Sequence, residues 1–147
     1  MNETKTASIE EIAEFLSNAI GNRRQKQSPI ILLSLSKALS NALETLGASP
    51  RQRLVALDHD YTLHIHDSHG LQKETLRGQL PVTAHDLAIV GSLLENAKNI
   101  SNGNPSHSKN GSMRIEAKAE SQGMLYWVVF EVRKHHVVPY TMFKRKK

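Results

Sequence analysis

The chain has 147 residues, 39% apolar and 22% charged, enough to bury one core and too mixed for global disorder. It has no cysteine, which excludes a disulfide framework, a thiolate metal site and a cysteine nucleophile. No apolar run approaches the ~18–20 residues of a membrane span, and Met1-Asn2-Glu3-Thr4-Lys5 lacks the order of a signal peptide, so the expected setting is cytoplasmic with no membrane partner.

The net charge of +5 is uneven: eight Lys or Arg and three Glu lie from Ser112 onward, and the first 111 residues are neutral. A neutral front and a basic back suggest a polyanionic partner, such as nucleic acid, met through the C-terminal third.

Residues 7–20 predict an amphipathic helix: Ile9, Ile12, Ala13, Leu16 and Ile20 recur at helical spacing, and Ser8 with Glu11 forms a capping box. Gly21-Asn22 ends it. A second helix is expected from Ser28 and Pro29 to Leu46, stopped by Gly47 and packed on the first as a helical hairpin. Arg53–Asp58 reads as a short buried strand. Tyr61–Ser68 reads as a short helix ended by Gly70, and Leu71–Leu80 as a loop. Thr83 with Asp86 caps a helix running to about Lys98, and residues 99–112, rich in Gly, Ser and Asn, read as a long loop.

The remainder reads as β. Met113–Glu120 alternates apolar and polar residues, Leu125–Val132 is apolar on both faces, and Val137–Phe143 forms a third strand in which Pro139 requires an edge or a bulge. The order predicts an α+β domain: an N-terminal helical hairpin, then a short strand and helices packed on an antiparallel β-meander.

The chemistry concentrates at Leu63-His64-Ile65-His66-Asp67-Ser68-His69-Gly70, which holds three of the eight histidines. A metal site invites comparison with the H-x-H-x-D-H signature of metallo-β-lactamase-like hydrolases. Here Ser68 stands before the last His, and the acid is Asp67. On a helix, His64 and His66 would also point about 200° apart. The other chemistry is metal-free acid–base cleavage of RNA, which needs a base, an acid, and donors for the phosphate oxygens. Histidine supplies the first two near neutral pH. Lys118, Tyr126 and Thr141, one on each meander strand, would supply the rest if they share a face, and Arg133 could hold a phosphate. The Lys144-Arg145-Lys146-Lys147 run reads as a further phosphate contact or as a solvated tail. Each of these residues also has a plain structural role open to it.

The ordered set of Leu54-Val55-Ala56-Leu57-Asp58, His64-Ile65-x-x-x-His69-Gly70, Leu80-Pro81-Val82-Thr83 and a meander ending Val138-Pro139-Tyr140-Thr141-Met142-Phe143 resembles the barnase–EndoU–colicin–RelE superfamily of RNA-cleaving domains, in its phage and polymorphic-toxin branch. The resemblance covers 51–147 as a nuclease-like domain and leaves 1–50 as an N-terminal helical extension, read as a packing element, a homodimer surface or a dock for a neutralising partner. It implies a cofactor-free endoribonuclease acting on RNA, tRNA among its candidate substrates, restrained by an antitoxin or immunity protein. His64, His69 and Thr141 carry over directly, with Lys118 and Arg133 following less closely. Which histidine is acid and which is base stays open. His69, at the helix end beside a glycine, is expected to be the more exposed. The alternatives are a non-catalytic nucleic-acid-binding or virion-associated protein on the same fold, and a histidine-cluster metal hydrolase.

Overall fold

Ser8 accepts from the Glu11 N–H, and Glu11 returns the bond to the Ser8 N–H, both at 3.1 Å, so the first helix, α1 (Ile9–Gly21), starts where its capping box dictates. It buries Ile12, Phe15 and Ala19; Ile9 and Ala13, expected in the stripe, face outward. The computed structural model describes residues 6–45, 54–71, 75, 78–96, 99–102, 113–133 and 136–147.

The helical hairpin does not form. Ile30–Ser34 is a strand, β1, and the second helix is the shorter α2 (Lys37–Thr45), capped by the Ser36 hydroxyl instead of Ser28. An apolar run such as Ile30-Ile31-Leu32-Leu33 suits either state locally, and an available sheet edge decides it. That edge is β2 (Leu54–Leu57), with which β1 pairs antiparallel from Ile30 opposite Leu57 to Ser34 opposite Leu54. Residues 30–34 therefore belong to the same sheet as the C-terminal strands.

Asp58 caps α3 (His59–His69) by accepting from the Tyr61 N–H. Gly70 ends it, its N–H bonding the His66 carbonyl at 2.8 Å. A Cβ at position 70 would fall within 2.9 Å of the His66 backbone, so only glycine fits without a shift. Thr83 and Asp86 form the second capping box and start α4 (Ala84–Glu95), which ends about a turn earlier than expected. Residues 99–102 form an edge strand, β3, where a loop was expected, because β4 (Met113–Ser121) offers them a free edge. The rest of that expected loop, 103–112, lies outside the described residues.

Strands β5 (Met124–Val132) and β6 (His136–Lys146) complete a six-stranded sheet in the order β1-β2-β6-β5-β4-β3. Among the described strands only the neighbours β2 and β6 run parallel. Pro139 sits inside the sheet at a bulge, where the register moves from Phe130 opposite Pro139 to Val129 opposite Thr141. The chain is thus α+β. Helix α4 packs on one sheet face, with α1 against α4 and α3, around Val90, Leu94, Ile115, Val128, Phe130 and Met142, all at most 1% exposed.

Candidate functional site

Register divides the meander into two faces. Lys118 stands opposite Trp127, and Trp127 opposite Phe143; one step along, Ala119 stands opposite Tyr126, and Tyr126 opposite Lys144. Cross-strand partners share a face and neighbours alternate, so Lys118, Trp127, Phe143 and Thr141 lie on the face away from the buried core, the outer face.

Helix α3 brings the histidines to this face. Among the described residues β2 pairs with β6 at His136 and Val137, and Leu80 pairs with Lys144 at the far end. Between them α3 packs on β6. The Val82 N–H donates to the His69 carbonyl at 2.8 Å and the Leu80 N–H to the Lys144 carbonyl at 2.9 Å, which clamps the end of α3 over the end of β6. The His64 ring stacks on Tyr140 with centroids 4.9 Å apart, and the His69 ring lies 5.8 Å from Phe143. The two matched histidines thus rest on rings either side of Thr141. His64 is the more exposed of the two, opposite to the expectation, and the His69 ring lies against Phe143. Burial of part of its ring, then the nearby His69 and Arg114, lower the His64 pKa below its ordinary value.

His69, Thr141, Val129, Phe143, Trp127 and Gln79 line a cavity of about 290 Å³. Gln79, Trp127 and Phe143 also line an adjoining cleft of about 600 Å³, whose rim holds the exposed Lys118 and Arg145. The structure therefore brings His69 and Thr141 to one pocket and Lys118 and Arg145 to the adjoining one, with His64 outside both linings, five residues earlier on α3.

Tyr126 and Lys144 do not offer their polar ends to this surface. The Tyr126 hydroxyl donates to Asp86 Oδ1 at 2.7 Å, and Lys144 Nζ lies 2.7 Å from Asp86 Oδ2. Asp86 is 1% exposed. Burial pushes its carboxyl up, but Lys144, the Thr83 N–H and the Tyr126 hydroxyl together outweigh that and hold it below the usual carboxylate range. Burial and the Asp86 bond push the Tyr126 phenol up. The physical reason is period two: both residues fall on the core face.

Arg133 is also committed. Its Nε donates to Glu131 Oε1 at 3.0 Å, and it pairs with Asp58 at 3.4 Å. Glu131, 5% exposed, also accepts from the Tyr61 hydroxyl at 2.5 Å, which ties the start of α3 to the end of β5. Burial, then the Glu131 bond, raise the Tyr61 pKa. Arg114, unmarked in the sequence because it continues a polar alternation, is 5% exposed with its guanidinium 3.8 Å from the Tyr140 ring centre. Glu131, 3.9 Å away, is its ion-pair partner. Trp127 was likewise missed: in a run apolar on both faces nothing marks which aromatic turns outward.

The other histidines of the cluster serve the fold. His59, 1% exposed, bonds through Nε2 to the Arg23 carbonyl at 2.9 Å, and His66 packs beneath Gly70. Asp67 is held by Arg23 through two bonds of 2.7 and 2.9 Å. Among the described residues no group of three or more His, Asp or Glu is arranged to hold a metal ion, and no helix is long and apolar enough to cross a membrane. Comparison with protein-family models, with curated proteins and with solved structures finds no match.

Proposed function

We propose that the outer face binds RNA and cleaves it without a metal, by attack of a ribose 2′-hydroxyl on its own 3′-phosphate. One observation carries this: His69 and Thr141 line a cavity that shares Gln79, Trp127 and Phe143 with the cleft of Lys118 and Arg145, and His64 stacks on Tyr140, next to Thr141 in β6. His64, its pKa lowered and its imidazole neutral at neutral pH, takes the 2′-hydroxyl proton as the oxygen attacks phosphorus. The bond from phosphorus to the 5′-oxygen breaks, and His69 gives that oxygen a proton. The products are a 2′,3′-cyclic phosphate and a 5′-hydroxyl. The Thr141 hydroxyl donates to a phosphate oxygen, and Lys118 and Arg145 offset the charge that builds there.

The reading agrees with the resemblance to barnase–EndoU–colicin–RelE domains, and with it come tRNA as a candidate substrate and an antitoxin or immunity protein as restraint. Incubation of the purified chain with total RNA in EDTA tests it: fragments with cyclic phosphate ends are expected, and their loss in EDTA would restore metal chemistry. A second reading is a binder without catalysis, favoured by Trp127 and Phe143 beside two cations, the pairing that holds single-stranded nucleic acid by stacking. Salt-sensitive RNA binding with no fragments would favour it.

A further inference from the structure

Two polar atoms on residues that line both outer-face pockets lack partners. Trp127 Nε1 and Gln79 Oε1 are closed off from water, and neither has a hydrogen bond. Both residues line both pockets, together with Phe143. One is a donor and the other an acceptor. Buried polar groups are ordinarily satisfied, and an orphaned donor and an orphaned acceptor on two residues that line the same two pockets are the exception that calls for a reason. The surroundings narrow that reason. Phe143 meets Trp127 edge to face, with centroids 4.7 Å apart, and gives both pockets an aromatic wall. Lys118 and Arg145 stand on the same cleft, at its polar rim. A flat heterocycle carrying an adjacent donor and acceptor, and joined to a phosphate, matches all of these features.

We infer that Gln79 and Trp127 form a nucleobase subsite, in which Trp127 Nε1–H donates to the base edge and Gln79 Oε1 accepts from it. The inference rests on the reading that RNA occupies this face, and adds where a base is held and by which atoms. Gln79 lies on the irregular segment before Leu80, so turning its amide admits the base without disturbing a helix or strand. The Trp127 indole is fixed in β5 and sets the plane of recognition.

Trp127 is the chain's single tryptophan, so its fluorescence reports this position alone. The test titrates the full chain with the four nucleoside 3′-monophosphates, and with ribose 5-phosphate and inorganic phosphate as controls. At least one nucleotide should quench saturably, at concentrations where both controls leave the signal unchanged. Gln79→Leu should weaken that nucleotide about tenfold, the loss of one hydrogen bond to a buried partner, while Gln79→Glu, which keeps the acceptor, should retain most of the binding. Equal quenching by nucleotides and ribose 5-phosphate, no quenching at all, or unchanged binding by Gln79→Leu would each overturn the subsite. RNA cleavage is scored separately. Cleavage without nucleotide quenching removes the subsite and leaves the proposed function standing; quenching without cleavage does the reverse.

Discussion

Lys144 and Arg145 are neighbours on one strand, as are Tyr126 and Trp127, yet each pair divides between two unlike surfaces. On the core face, Lys144 and Tyr126 converge on Asp86, a carboxylate 1% exposed, and form a dry, mutually neutralised knot that pins α4 to the sheet. On the outer face, Lys118, Arg145, Trp127 and Phe143 surround open space beside His69 and Thr141. The residue types are nearly the same on both faces. A buried cation is bound to its own carboxylate and serves stability; a cation at a cleft rim is available to a ligand.

The sharpest way to break this division is to substitute both faces and measure cleavage and melting for each variant. His69→Ala should lower cleavage by about 10²–10⁴-fold, the usual contribution of one acid or base, with the unfolding midpoint little changed. Lys144→Ala should do the opposite. It leaves Asp86 buried without its cation and costs roughly 3–5 kcal/mol of stability, read by denaturant unfolding, while the folded fraction keeps its specific activity. Loss of cleavage by Lys144→Ala without loss of stability would show that the faces are assigned wrongly.

The pH dependence separates the faces next. Because Asp86 is held below its ordinary pKa, its contribution is present above the unfolded carboxylate value of about 4 and is lost as pH falls through the folded value. Unfolding midpoints between neutral and strongly acidic pH should therefore show an acid limb that Asp86→Asn flattens. On the outer face, the lowered pKa of His64 places the acid limb of kcat/KM below about 6.5. A limb midpoint above that value, or one unchanged in His64→Ala, would remove His64 as the base. The smallest effect is at the rim: Arg145→Ala should reduce the salt dependence of RNA binding by about 0.7 in log–log slope, one phosphate contact to a single strand, and leave stability unchanged.

Local signals in the sequence were sufficient where local physics decides. Ser8 with Glu11, Thr83 with Asp86, and Gly70 mark helix ends through bonds within four residues, and the structure has them there, whereas α3 starts at His59, two residues before the expected Tyr61, on an Asp58 cap read as the end of a strand. The alternation of Met113–Glu120 marked its strand for the same reason. Ile30–Ser34 and residues 99–102 were misread because their state depends on partners, β2 and β4, distant in sequence. The candidate site divides similarly. His64, His69 and Thr141 were legible from residue type and order, and α3 on β6 brings them to one face. Tyr126 and Trp127 were not separable, since a strand apolar on both faces hides its phase. Arg114 continues a polar alternation and Glu131 lies within a run that reads as apolar on both faces; both are nearly dry, because α3 covers that end of the sheet with Tyr61 and the Glu131 bonds.

The central claim, that the outer face carries acid–base cleavage of RNA, is tested most directly by mapping the ends left when total RNA meets the purified chain in EDTA. Fragments ending in 2′,3′-cyclic phosphate are expected from the parent and from the folded fraction of Lys144→Ala, and should be absent with His69→Ala and Thr141→Ala. Intact RNA with the parent, or equal cleavage by all four proteins, would contradict the account.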